Sequence, residues 1–271
     1  MSSGHSHPFH LIEPSKWPIL SSFSMLFVAA GFIMFMHEVP HAGILLSLGL
    51  LSITICVFSW FSDVIKEGRV DKAHNKNVQL GLKIGMMLFI VSEIMFFFGF
   101  FWSYFKSSLS PMDTLDGFNA IKGIWPPKGI ETFDPWHIPF LNTLILLLSG
   151  TTVTWAHYAL EENNQEDLKR ALFYTVLLGV SFTCCQAYEY FHAPFHFKDG
   201  IYPSNFFMAT GFHGFHVIVG TIFLAVCYFR AKSNHFVPEE GHLGFEFAAW
   251  YWHFVDVVWL FLFLFVYVLG R

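Results

Sequence analysis

Glu93 stands near the middle of an apolar stretch, SEIMFFFGFFW, with Phe96, Phe97, Phe98, Phe100 and Phe101 close behind it. A carboxyl at bilayer depth costs a few kcal/mol on insertion scales, so it needs a partner or a purpose. It is either a proton-linked, reactive carboxyl, or a neutral acid bonded to a polar group on a neighbouring helix. His253 and Asp256 lie three residues apart in WYWHFVDVVW. That spacing sets both side chains on one face of a helix. Such a pair relays protons or orients a ligand, or it is a polar pair facing another helix or subunit. His213 and His216 repeat the spacing in ATGFHGFHVIVG. Two imidazoles on one face suit haem or copper; the alternative is plain hydrogen bonding inside a bundle. His157, His192 and His196 add to the imidazole count, yet the chain has no H-x-x-E-H or H-E-x-x-H pattern, and no cysteine stands at ligand spacing from a histidine.

The elements that must position these groups are membrane helices. Of 271 residues, 54% are hydrophobic, 20% aromatic and only 13% charged. A soluble domain carries about 25% charged residues, so this surface faces lipid. The net charge of −5 offers no basic face to nucleic acid. The four cysteines, Cys56, Cys184, Cys185 and Cys227, sit in apolar runs and read as small buried hydrophobes. Residues 1–15 lack the basic region and cleavage site of a signal peptide, so the first span is expected to serve as its own insertion signal.

A membrane helix needs about 20 apolar residues. Seven runs qualify, at 17–36, 42–65, 78–105, 137–159, 168–191, 204–229 and 243–269. They show none of the alternation of a β-barrel, so the fold class is an all-α polytopic bundle. The polar run KEGRVDKAHNKN marks an internal boundary. The expected organisation is a polar segment at 1–16, a two-helix unit at 17–65, an inner connection at 66–77 and a five-helix unit at 78–271. Residues 106–136, rich in Pro and Gly, read as a structured surface loop. Gly211, Gly214 and Gly220, and the Gly81/Gly85 pair, suggest close helix contacts. Trp17, Trp60, Trp102, Trp136 and Trp250 fall near span ends, as an interfacial belt does. More Lys and Arg, including Lys66, Arg69, Lys72, Lys169 and Arg170, fall on the N-terminal side of the membrane, which favours N-inside and C-outside. Lys66, Glu67, Arg69, His74, Arg230 and Lys232 form an inner polar belt. It suits anionic lipid head groups, or is the ordinary positive flank of spans.

Several long segments, in order, resemble subunit III of cytochrome c oxidase, of the haem-copper oxidase subunit III family. They are SEIMFFFGFFWSY at 92–104, WPPKG at 125–129 and LNTLILLLSGTTVTWAH at 141–157, followed by QAYEYFHAP at 186–194, MATGFHGFHVIVG at 208–220 and FAAWYWHFVDVVWLFLFL at 247–264. The resemblance runs from about residue 14 to 271 and is weakest before residue 56. It implies seven helices in a two-helix plus five-helix V, with phospholipids in the cleft. It implies a subunit without haem or copper, beside catalytic subunit I and with subunit II, in a complex that oxidises cytochrome c, reduces oxygen and pumps protons. The subunit's implied role is to stabilise the complex and support proton uptake. By position, Glu93 matches the family's carbodiimide-reactive carboxyl, and Trp60, Glu67, His74 and Arg230 match residues lining the lipid cleft. A basic residue common just before Asp63 in the family is Ser62 here; Lys232 is the candidate replacement. His213, His216, His253 and Asp256 then read as buried structural polar groups, with no catalytic residue and no metal ligand in the chain.

Two other readings stand beside this one. A stand-alone proton-coupled transporter would use Glu93 and Asp256, although no internal repeat suggests inverted halves. A catalytic haem-copper subunit would need six ligating histidines that the spans do not supply. The composition of the N-terminus favours a bacterial cell membrane, with a mitochondrial inner membrane as the alternative.

Overall fold

The computed structural model describes residues 14–116, 119–236 and 242–271. The fold class is all-α apart from one short hairpin, with seven helices among the described residues long and apolar enough to cross a membrane. In chain order these are α1 (Trp17–Met36), α2 (Ala42–Arg69), α3 (Lys76–Leu109), α4 (Ile138–Glu161), α5 (Gln165–Phe191), α6 (Ile201–Lys232) and α7 (Leu243–Leu262). In hydrocarbon every backbone N–H and C=O must be bonded within the segment, and a helix alone does this. Pro18 and Pro139 open α1 and α4, where a missing N–H costs nothing. Asn164 caps α5, its side chain accepting from the Asp167 N–H at 3.2 Å, with Glu166 and Asp167 favourable in the first turn.

Several helices outrun their apolar runs. α2 continues through Lys66–Arg69 and α6 through Lys232, because Lys, Glu and Arg are good helix formers that extend a helix beyond the hydrocarbon. The polar connection is correspondingly shorter than 66–77. Between α3 and α4 lies a small antiparallel hairpin, β1 (Met112–Asp116) with β2 (Asn119–Lys122), which apolar patterning did not disclose. α7 ends in a π-helical turn, Phe263–Val268.

The chain divides into two compact units, Met1–Leu82 and Lys83–Arg271. In the first, α1 and α2 form a close hairpin. A Cβ on Gly31 would lie 2.6 Å from the Leu46 nitrogen, and one on Gly49 would lie 2.7 Å from the Val28 nitrogen. Backbones therefore touch where side chains are missing. Ser24 and Ser52 hydroxyls meet at 2.6 Å, and Trp17 Nε1 donates to Asp63 Oδ2 at 2.7 Å.

The second unit centres on α7. Trp252 is fully buried, its ring wedged against Gly179 of α5 and Gly220 of α6, and its Nε1 donates to Ser149 of α4 at 2.9 Å. Two turns on, Trp259 Nε1 donates to Thr143 of α4, also at 2.9 Å. The pairing order runs opposite in the two helices, as antiparallel neighbours require. The Lys83–Leu109 part of α3 joins through side-chain contacts. Ser103 donates to Asn205 at 2.7 Å, Tyr104 Oη donates to the Phe265 carbonyl at 3.0 Å, and Lys83 pairs with Glu246 at 2.8 Å. Phe96 and Phe100 both pack on Phe212.

Two expectations about small residues need correction. Gly81, Gly85 and Gly214 have open space where a Cβ would stand, among the described residues, so they make no close helix contact within the chain; Gly220 does. Cys184 is exposed and Cys185 half-buried, whereas Cys56 and Cys227 are buried; all four are free thiols. Neighbouring residues on a helix point about 100° apart, and here that turn carries Cys184 to the outer face of α5.

Candidate functional site

α3 and α6 bring Glu93 and His216 together, residues 123 apart in sequence. Glu93 Oε2 lies 2.8 Å from His216 Nε2, and the imidazole side chain is 7% exposed. His216 Nδ1 is 2.7 Å from the Phe212 carbonyl, which can only accept, so Nδ1 carries a hydrogen. One further proton then serves the Nε2–Oε2 link. It rests on the acid, which donates to the imidazole, or on the imidazolium, which donates to the carboxylate. Phe96, Phe97 and Tyr251 surround the imidazole and keep this link away from bulk solvent.

His213 points elsewhere despite its i, i+3 spacing. Its Nε2 donates to the Val255 carbonyl of α7 at 3.1 Å, and its ring packs on Phe182 and Trp259. Its Nδ1 is buried without a hydrogen-bond partner among the described residues. The two imidazoles thus serve different neighbours, α7 and α3. Among the described residues no cluster of three His, Cys, Asp or Glu side chains is placed to hold a metal ion.

His253 and Asp256 share a face of α7, with Nδ1 and Oδ2 3.8 Å apart, which is longer than a hydrogen bond. Asp256 is 7% exposed and sits against Gly150 of α4. His253 does not match the expectation of a buried group: 48% of its side chain is exposed. It follows Trp252 on the helix, and the ring that faces the interior there is the indole.

The residues matched to a lipid cleft fall in both units. Trp60, Glu67 and His74 belong to the first, with His74 packed beside Gly68 after the end of α2. Arg230 and Lys232 belong to the second, at the end of α6. The Arg230 guanidinium lies over the Phe236 ring at 4.7 Å, and Lys232 is exposed.

One buried carboxyl escaped sequence reasoning. Glu189 on α5 is 1% exposed; Tyr267 Oη donates to its Oε1 at 2.6 Å and Gln186 Nε2 approaches at 3.3 Å. Asn142 of α4 donates to Gln186 Oε1 at 3.3 Å. The available signal was the Gln186–Glu189 spacing at the end of a span, the same i, i+3 rule that singled out His253 and Asp256.

This architecture, with internally paired polar groups in an apolar bundle, defines a multi-pass membrane protein of seven helices. The family model of cytochrome c oxidase subunit III matches residues 7–271. A probable cytochrome c oxidase subunit 3 of Rickettsia bellii (strain RML369-C) is 63% identical over 267 residues, covering 98% of this chain and 96% of the relative. Cytochrome c oxidase subunit 3 of Prototheca wickerhamii is 55% identical, covering 97% and 98%, and that of Arabidopsis thaliana is 53% identical, covering 100% and 99%. The chain belongs to the cytochrome c oxidase subunit III family. It is therefore a multi-pass subunit of an oxidoreductase complex of respiratory electron transport.

Proposed function

We propose that the chain is the non-catalytic support subunit of a proton-pumping oxidase. It packs mainly beside catalytic subunit I, contacts subunit II, holds phospholipids and supports proton uptake, while haem and copper reside in the partner subunits and cytochrome c reaches the complex through them. The observation that carries this reading is the engagement of the membrane imidazoles. His213 is bonded to a backbone carbonyl, and His216 to a carbonyl and to Glu93. Imidazoles so engaged support the bundle; His216 has both ring nitrogens occupied, and the one left over, His213 Nδ1, is buried inside the helices. Trp60, Glu67 and His74 in the first unit, and Arg230 and Lys232 in the second, are the proposed lipid-holding residues. Arg230 and Lys232 at a helix end suit phosphate by charge. The chain resides in a bacterial cell membrane, N-terminus inside and C-terminus outside.

The test is to purify the complex and assign haem and copper to its subunits. Metal held by this chain alone overturns the reading. Proton-coupled transport by the isolated chain in liposomes would favour a transporter instead. Replacing His74 and Arg230 together is expected to lower the phospholipid retained by the complex, measured by mass spectrometry; unchanged lipid content removes the lipid role.

A further inference from the structure

Asn142 stands one turn into α4, and Glu189 lies close to the end of α5, so both sit at the same end of this antiparallel pair. Asn142 Nδ2 donates to Gln186 Oε1 at 3.3 Å, and Gln186 Nε2 approaches Glu189 Oε1 at 3.3 Å. Tyr267 Oη donates to that same carboxyl oxygen at 2.6 Å. All four side chains are buried. Tyr267 reaches this polar row from the π-helical turn, whose i→i+5 bonding re-aims side chains away from their α-helical directions. Phe133 and Phe206 pack on its ring.

The row leaves two oxygens over. Glu189 Oε2 and Asn142 Oδ1 are both buried, and neither has a hydrogen-bond partner among the described residues. Turning both amides over is no remedy, because it sets Gln186 Oε1 against Glu189 Oε1, acceptor facing acceptor. Leaving a buried carboxyl oxygen and a buried carboxamide oxygen unmet is costly.

A ligand that serves both must be small, since the row is closed to lipid head groups. Ca²⁺ takes about six to eight oxygens and Mg²⁺ about six, so two free oxygens make a poor cage for either. Water has two hydrogens to donate and two lone pairs, and buried waters bind leftover polar groups of this kind. It donates to Asn142 Oδ1. At Glu189 Oε2 it donates to a carboxylate or accepts from an acid, so it fits either protonation state.

We propose that Glu189 Oε2 and Asn142 Oδ1 hold one ordered water between them, a built-in ligand site that ties α4 to α5 beside the π-helical turn. The site belongs to the five-helix interior and does not depend on which subunits surround the chain.

The test is a map of the purified intact complex by electron cryomicroscopy, at a resolution that shows ordered waters. One peak is expected at about 2.6–3.2 Å from both oxygens. No peak there, or a peak that meets only one of the two oxygens, overturns the proposal. A peak ringed by five or more oxygens at about 2.3–2.6 Å marks a cation and overturns it too. In a second arm, Asn142→Leu removes one of the two partners at similar volume. The peak height, scaled to neighbouring backbone atoms, is expected to fall several-fold; an undiminished peak in an assembled variant also overturns the proposal. Should the variant fail to assemble, the map of the unmodified complex decides alone.

Discussion

Glu93 Oε2 and His216 Nε2 meet at 2.8 Å, linking α3 to α6. The tautomer is set from behind, by the Phe212 carbonyl that accepts from His216 Nδ1. The arrangement joins a carboxyl that no lipid can satisfy to an imidazole that is only 7% exposed.

Replacing Glu93 by Gln retains a donor for His216 Nε2. The variant complex is expected to assemble and to reduce oxygen at close to the normal rate. Glu93→Leu leaves the imidazole nitrogen unpartnered, at a cost of about 1–3 kcal/mol. Oxygen uptake and the thermal midpoint of the purified complex measure both. A fully assembled Gln variant without turnover would place Glu93 on an essential proton path.

Trp252 and Gly220 are coupled by contact. A Cβ on Gly220 would lie 2.9 Å from Trp252 Cε3, so Gly220→Ala overpacks the core. The expected destabilisation is about 1–3 kcal/mol. Trp252→Leu removes the atoms that clash, so the double variant should lose less than the two single losses combined. A double-mutant cycle of thermal unfolding should give a coupling of about 0.5–3 kcal/mol; strict additivity would mean the helices shift apart instead.

Glu189 depends on Tyr267. Tyr267→Phe removes the 2.6 Å donor and leaves only Gln186 at 3.3 Å. Stability should fall by about 1–3 kcal/mol, since a buried acceptor loses its main partner. Glu189→Leu alone strands the Tyr267 hydroxyl, so combining it with Tyr267→Phe should recover part of the loss. Thermal unfolding of the three variants decides it.

His242, just before α7, gives a pH dependence. Burial first, and then nearby His157, push its imidazole below the ordinary histidine value, while Glu246 opposes them. The folded chain therefore holds His242 neutral where the unfolded chain binds a proton. Stability should decline as pH falls from about 6.5 toward the lowered value. His242→Asn should flatten that part of the profile, read as thermal midpoint against pH; an unchanged slope would show that other groups cause it.

Much of the architecture was open to reading in one dimension. Continuous apolar runs marked the spans, because hydrocarbon admits only helices and closed barrels, and each helix must cross about 30 Å. The polar tail of α2 was missed at its end, since helix propensity persists after hydrophobicity stops. The Gly81/Gly85 spacing suggested a contact that is not made among the described residues, because a small residue permits close approach without supplying a neighbour.

What the sequence determined by itself was the seven-span, all-α class, the resemblance to oxidase subunit III, and which rare polar residues must find partners. Only the tertiary structure decided which partners. His213 and His216 are three residues apart yet serve different helices, and Glu189 meets Tyr267 from 78 residues away. In water an amphipathic stripe tells which face of a helix turns inward. In a membrane the outer face is apolar too, so the pattern carries little rotational phase. The rotation of each helix, and with it every polar pairing, is set by packing against its neighbours.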